Sequence, residues 1–326
     1  MRIDYRFTNA VNGGFGQLGN GIKKGLESAG HIITRDNPDI MFFYGVPEVL
    51  RTSEGEVDKN RKCPLVYYTV WESSIYPPDW AKIILEAKCD LVLTATEYNK
   101  EAMKRSGVEA KVWHHGVDER WKPRRRVNDG KCTFIHWNAF EWRKGWEVVL
   151  KAFLEEFEDE DDVELILKGR DRGESVWLAG ENESSLGIPK VREVIGHLSN
   201  EELENLIYSA DVGVFPVKGE GWFMPSFEFA SSGGVVLLPK QGGLVEQWGA
   251  GYIEIGIDGW FNSEPRYNGA MFWCSVADLR KKMRWCYDNQ DKLSDLGMEA
   301  SEEVIRKFNW CKIIKDLEDY FNLVLK

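Results

Sequence analysis

Two glutamates eight positions apart, Glu220 and Glu228, carry the strongest chemical suggestion in the chain, within the stretch EGWFMPSFEFASSGGVVLLPKQGG. The pattern predicts a strand over Val212 to Phe215, a loop holding Glu220, and a helix from Pro225 to Ser232 that holds Glu228. A helical carboxylate is a natural acceptor for two adjacent hydroxyls, as on a ribose, while the loop carboxylate can reach a group bound beside it. Between them, the backbone N–H groups of Trp222, Phe223 and Met224 lead into a helix N-terminus, whose first donors lack intrahelical partners and favour anions or sugar oxygens. Arg143 and Lys144 precede Gly145 at the start of another predicted helix, Gly145 to Phe157. Two cations at the electropositive end of a helix are unfavourable unless an anion meets them. A departing phosphate would be such an anion, and fixed cations aimed at its growing charge stabilise the transition state more than the ground state. Lys168, ending a strand over Val163 to Leu167, is either a further cation of this kind or an exposed loop lysine.

These residues need a scaffold that presents strand ends to one another, and the rest of the chain supplies it. Strand signals alternate with helix signals, as in parallel sheets with crossover helices. In the first part the strands are Ile3 to Phe7, Ile32 to Thr34, Ile40 to Tyr44, Leu65 to Val70, Leu91 to Ala95 and Lys111 to Trp113, with helices over Gln17 to Ala29 and Glu97 to Ser106. A basic, proline-containing segment, Lys122 to Gly130, separates them from a fresh strand at Thr133 to Trp137. The second part continues with a helix over Glu201 to Ser209, a strand over Val235 to Leu238, and a terminal helix after Asn309. The expected fold is therefore α/β, with two Rossmann-like domains facing across a cleft: residues 1–126, residues 127–305, and a terminal segment, 306–326. Ligands of such folds bind beyond the carboxyl ends of the strands.

Composition narrows the partners. At 326 residues, 43% hydrophobic and 29% charged, the chain is an ordinary globular protein of about two domains. A net charge of -11 argues against nucleic acid, which needs an excess of Lys and Arg. Residues 1–126 hold 20 Lys+Arg against 17 Asp+Glu, so the excess of acid lies in the second part. The run Lys122, Arg124, Arg125, Arg126 reads as a solvated linker or as a peripheral contact to an anionic membrane surface. The opening residues do not resemble a secretory signal, and no stretch approaches a membrane span. The cysteines, Cys63, Cys89, Cys132, Cys274, Cys286 and Cys311, form no CxxC pair, which fits reduced thiols and a cytoplasmic location. No metal is expected: Asp159, Glu160 and Asp161 read as an acidic turn, and His31, His114, His136 and His197 lack ligand spacing.

Beyond the paired glutamates, further motifs fall in a recognisable order. His115, Gly116, Val117 and Asp118 with Trp121 and Pro123 come first, then Arg143-Lys144-Gly145. Tyr208, Ala210, Asp211 and Pro216 follow, then Glu220 and Glu228, then Gly242, Gly243 and Glu246, and finally Phe308, Asn309 and Trp310. From first strand to last helix the chain resembles the retaining glycosyltransferases of the GT-B fold that carry an E-x7-E signature (glycosyltransferase family 4-like). The resemblance implies a metal-independent hexosyltransferase-like enzyme with no cofactor, moving a sugar from a nucleotide-sugar donor in the second domain to a hydroxyl acceptor in the first. It implies that the terminal helix crosses back to the first domain. It also implies catalytic roles for Glu220, Arg143 and Lys144, donor contacts from Gly14, Lys168, Trp222, Phe223, Met224 and Glu228, and an acceptor side that includes Glu72 and His115. The chain departs from the family at Trp222, where a small residue is usual, and at Asn138, where an arginine is usual. Arg143 is the expected substitute for that arginine.

Two other readings stand beside this one. Gly14, Gly16 and Gly19 satisfy GxGxxG, and Asp36 follows Gly16 by about the distance found in NAD(P)-dependent oxidoreductases. Against it, Arg2, Asp4 and Arg6 make the first strand more polar than a central dinucleotide strand should be. A non-catalytic module that binds a nucleotide-sugar would keep the fold without turnover, an option that the substitutions around Trp222 and Asn138 leave open; in either case Gly13, Gly14 and Gly16 after the first strand let backbone N–H groups approach a phosphate closely.

Overall fold

The computed structural model of the chain describes residues 1–8, 14–51, 57, 61–127, 130–157, 162–171, 188–246, 249–265 and 267–326. Its first domain is a parallel sheet of β1 (Arg2–Phe7), β2 (Ile32–Ile33), β3 (Ile40–Tyr44), β4 (Leu65–Thr69), β5 (Leu91–Thr94) and β6 (Lys111–Val112), in the order β2-β1-β3-β4-β5-β6. Helices α1 (Gly14–Ser28), α2 (Pro78–Ala87) and α3 (Glu97–Arg105) connect them. Every residue of β3 and β4 is buried, which follows from a parallel sheet being covered on both faces. The apolar runs IMFFY and LVYYT are what such a position requires.

The second domain repeats the plan with β7 (Cys132–Trp137), β8 (Val163–Gly169), β9 (Val191–Ile195), β10 (Val212–Val214), β11 (Val235–Leu238) and β12 (Tyr252–Glu254), ordered β12-β11-β10-β7-β8-β9. Its helices are α4 (Trp146–Glu156), α5 (Asn200–Tyr208), α6 (Met224–Ser231), α7 (Val276–Asp288) and α8 (Gln290–Phe308). The strand order reverses between β7 and β10, and in the first domain between β1 and β3. Such reversals open a crevice at the carboxyl ends, because the connections on either side leave in opposite directions. An antiparallel hairpin, β13 (Ile257–Asn262) with β14 (Ala270–Cys274), stands outside both parallel sheets.

The expected strands of the first domain are present within one residue at each end, and α1 begins three residues earlier than expected, at Gly14. The hairpin, β9, β12, α2, α7 and α8 have no counterpart in the sequence-based assignment. The linker arginines lie against the second domain: the Arg124 guanidinium is 3.9 Å from the Tyr208 ring centroid. Arg126 Nη2 donates to Ser232 Oγ at 2.8 Å, and Arg125 pairs with Asp295 at 2.5 Å.

The last helix, α9 (Trp310–Val324), crosses back to the first domain as expected. Trp113 Nε1 donates to Ile313 O and Tyr320 Oη to Val112 O, each at 2.8 Å. The contact is close because glycines receive it. A Cβ added to Gly21 or Gly116 would stand 2.7 or 2.3 Å from the Trp310 ring, and one on Gly25 would stand 2.7 Å from Ile314. Phe321 is fully buried with its ring edge-on to Phe42 at 5.3 Å. Phe321→Ala should therefore lower stability by about 3–5 kcal/mol, as for other aromatic deletions in a packed core. Urea unfolding of the variant checks this; a loss near zero would mean that α9 is not part of the first domain's core.

Candidate active site

The loops after β7 and β10 meet at the strand-order reversal. Gly145 has φ +73°, and a Cβ there would lie 2.1 Å from Pro216 O, so the two loops touch backbone to backbone and only glycine fits. Gly145 also ends a 3-10 turn, Trp142–Lys144, and caps α4. This geometry turns Arg143 and Lys144 onto the loop that carries Glu220. Arg143 Nη1 donates to Glu220 Oε1 at 2.6 Å and to Gly219 O at 2.9 Å. Lys144 Nζ donates to the same Oε1 at 2.6 Å. Arg143 Nε donates to Tyr267 Oη at 3.1 Å, and its Nη2 lies 3.5 Å from Glu72 Oε1 of the first domain. The anion that meets two cations at this helix start is thus supplied by the chain itself.

Arg143 and Glu220 are buried, and Lys144 and Glu72 largely so. Burial and then the Arg143 charge pull the Lys144 pKa below its ordinary value, against the attraction of Glu220. Burial opposes the charge on Arg143, yet Glu220 and Glu72 hold its guanidinium well above the usual range. Burial pushes Glu72 up; Arg143 offsets part of the shift and Glu220 adds to it. Glu72 belongs to the loop after β4, and the Gly219–Gly221 backbone runs directly against that loop. A Cβ on Gly219 would be 2.6 Å from Glu72 O, and one on Gly221 2.6 Å from Trp71 O. Glu246 adds a second tie between the domains, its carboxylate accepting from the backbone N–H of Glu97 at the start of α3.

Beside this cluster lies a cavity of about 200 Å³, between α1, residues 116–120 and the first turns of α6. Glu228 lines it, buried, with Oε1 3.9 Å from Arg120 Nη2. Arg120 is held in turn by Asn200 Oδ1 at 2.8 Å and by the Trp121 ring at 4.6 Å. Burial raises the Glu228 pKa to about 7, with Arg120 only partly offsetting it. Trp222 and Met224 also line the cavity. Trp222 lies flat on Phe227, with centroids 4.4 Å apart and planes 9° from parallel, and His114 and His115 tilt against it at 5.4 and 5.0 Å.

Other residues singled out from the sequence lie elsewhere. Phe223 does not line the cavity; its ring packs on Phe215 at 5.2 Å and faces Lys144 Nζ at 5.5 Å. Gly14 is exposed at the start of α1, and that helix reaches the cavity further along, through Gln17, Asn20, Gly21 and Lys24. Lys168 is neither an exposed loop lysine nor a member of the cluster: it is buried, and its Nζ donates to Gly196 O at 2.6 Å and Gly169 O at 2.9 Å. His115 is buried, neither ring nitrogen has a hydrogen-bond partner among the described residues, and burial holds its pKa well below the usual value. Asn138, where the family carries arginine, accepts from its own neighbour Ala139 N at 3.0 Å, and its Nδ2 has no partner among the described residues. Gly13 and the run Asp159 to Asp161 lie outside the described residues. Sequence reasoning missed Arg120 and Tyr267. Arg120 stands two residues after Asp118 of a recognised motif, whereas nothing local to Tyr267 announces it.

The sequence itself decides the family. Residues 117–302, more than half of the chain, match the family described as "Glycosyl transferases group 1". The chain belongs to this family. No protein of curated function matches it in sequence. Among solved structures, sucrose-phosphate synthase from Thermosynechococcus elongatus superposes with a TM-score of 0.73 at 14% identity, covering 99% of this chain and 98% of its own. A glycosyltransferase from Rickettsia africae gives 0.72 at 13%, covering 100% and 98%. Anabaena Alr3699/HepE, solved with UDP and glucose, gives 0.66 at 16%, covering 97% and 85%. These likenesses show that the group 1 transferase has the GT-B fold, two Rossmann-like domains with parallel sheets. Of the glycines in the dinucleotide-like pattern, Gly19 serves packing: a Cβ there would be 2.2 Å from the Phe7 ring. Asp36 is exposed and curls back to Arg2, whose guanidinium donates to its carbonyl, at the opposite end of β1 from the glycines. Among the described residues no helix is long and apolar enough to cross a membrane, and no three His, Cys, Asp or Glu gather as a metal site requires.

The raised pKa of Glu228 makes a stability prediction. The native state binds this proton more tightly than the unfolded chain, whose glutamates titrate near 4.5, so the stability it contributes is full below that pH and is lost as pH rises towards about 7. Glu228→Gln removes the dependence. Relative to wild type, the variant should gain on the order of 3 kcal/mol at most between about pH 4.5 and pH 7, measured by urea unfolding across that range. Parallel pH profiles would show that Glu228 ionises freely in the folded enzyme.

Proposed function

We propose that this glycosyltransferase moves a sugar from a nucleotide-sugar to a hydroxyl acceptor with retention of anomeric configuration and without a metal ion. The observation that carries the reading is the pair of Arg143, buried, and Lys144, largely buried, at the strand-order reversal and fixed on Glu220 beside the cavity that holds Glu228. In this reading Glu228 accepts the ribose hydroxyls, Trp222 and Met224 wall the nucleotide, and Arg143 and Lys144 receive the diphosphate. Glu220, adjoining both cations, orients the transferred sugar, while Glu72 and His115 face the acceptor.

Chemically, the bond between the anomeric carbon and the phosphate oxygen breaks while the acceptor oxygen attacks from the same face. The acceptor proton passes to that phosphate oxygen, and the nucleoside diphosphate leaves. Glu72 supports this route, since it is turned on Arg143 rather than standing free as a general base. The charge growing on the diphosphate is met by cations that are already in place, so no reorganisation is needed at the moment of reaction. Six unpaired cysteines support a reducing compartment, the cytoplasm.

The first test is stabilisation by nucleoside diphosphates and nucleotide-sugars against NAD(P), followed by a transfer assay with the donor that raises Tm most. Because the Anabaena structure holds UDP, uridine donors come first. With the true donor, Lys144→Ala should lower kcat by roughly 10²-fold or more, and donor KM should rise less. A folded variant with near-normal kcat would place leaving-group stabilisation elsewhere. Turnover should survive EDTA, and activity abolished by EDTA and restored by Mn2+ or Mg2+ would overturn the metal-free mechanism.

A further inference from the structure

We propose that Tyr267, at the tip of the β13–β14 hairpin, is a positioning residue for Arg143, and that it holds this cation only while the hairpin tip rests on the first domain. The proposal rests on the glycosyltransferase reading for its kinetic consequence and on geometry for its structural one. Among the described residues the Tyr267 hydroxyl meets Arg143 alone, accepting from Nε at 3.1 Å, and its ring centroid lies 5.5 Å from the guanidinium carbon. Glu220 and Gly219 take Nη1, so Tyr267 fixes the opposite edge of the planar fork. Rotation of the guanidinium about that edge is what the hydroxyl prevents. Nη2, next to it, is left with the 3.5 Å contact to Glu72 and is the donor best able to turn to a phosphate.

The hairpin is built to deliver this residue. Its base is clamped by Trp142, which meets Phe261 at 5.6 Å and Trp273 at 5.7 Å, over the buried ammonium of Lys218, 4.4 Å from the Trp142 ring. Phe272 N donates to Lys218 O at 3.0 Å. Trp142 and Lys218 immediately precede Arg143 and the Gly219–Glu220 pair, so the hairpin is anchored on both loops of the cluster. The tip then reaches the first domain. Ser73 Oγ donates to Asn268 O, Ala270 N donates to Ser74 Oγ at 2.8 Å, and the Tyr267 ring rests on Trp71 at 5.8 Å. Separating the domains breaks these contacts and frees Tyr267 from its place against Arg143.

A double-mutant cycle on the full chain tests this. Tyr267→Phe, which keeps the ring, should lower kcat about 10-fold with donor KM within about 2-fold, and should have no further effect in an Arg143→Ala background. Ser74→Ala, which touches only the tip's anchor, should lower kcat in the same direction. An unchanged kcat for folded Tyr267→Phe, or an undiminished drop in the Arg143→Ala background, overturns the proposal. A second readout needs no turnover: the 15N–1H signal of Arg143 Nε, assigned by its loss in Arg143→Ala, should exchange with solvent about 10-fold faster in Tyr267→Phe. Unaltered exchange overturns the positioning itself. If wild type uses no nucleotide-sugar, the functional reading fails and the exchange experiment still decides the geometry.

Discussion

One carboxylate oxygen, Glu220 Oε1, accepts from both Arg143 and Lys144 inside the protein, and much of the architecture answers to that arrangement. Buried charge is tolerated only when it is paired and hydrogen-bonded; removing one partner of such a group commonly costs about 3–5 kcal/mol. The turn after β7, the loop after β10 and the loop after β4 must therefore be held in register. Gly145 and Gly219 to Gly221 let these backbones touch, and Tyr267 closes the remaining side. Neutralising the cluster and assembling the two domains are in this sense the same event.

Helix α6 links this cluster to the cavity. Glu220 stands before the helix and Glu228 within it, and Trp222 fills the ground between them. The family's usual small residue at that position would leave room; here the indole stacks on Phe227 and backs onto His114 and His115. The bulky substitution is absorbed by packing rather than projecting into solvent, and it forms one wall of the cavity. Glu228 is thereby kept from water, which is the cause of its raised pKa.

Much of this was legible in the sequence because the signals are local. Runs such as IMFFY and LVYYT mark covered parallel strands, and Glu220, Glu228, Arg143 and Lys144 follow strand ends in an order that the GT-B resemblance makes specific. The fold class, the return of the last helix and the proximity of both cations to Glu220 could be expected on those grounds. What sequence missed is non-local. Lys168 looks like a cleft cation until the carbonyls of Gly169 and Gly196 are seen to take it. Tyr267 is separated from Arg143 by most of a domain, and its hairpin alternates too weakly to announce which face meets the protein. Phe223 stands between two lining residues in the chain and Gly14 three positions before the first of them, but the turn of the backbone points one inward to Phe215 and leaves the other in solvent.

The glycine-receiving seat for α9 has a consequence for biosynthesis. Trp310, Ile314 and Phe321 complete a core whose other members, Phe42, Trp113 and α1, leave the ribosome well before α9 does. Domains generally fold in order of emergence. Here the first domain must wait, with its seat exposed, until the second has been made and α9 has cleared the exit tunnel. The later domain can therefore finish first, and a nascent chain stalled before Trp310 would present an unsealed apolar groove to chaperones.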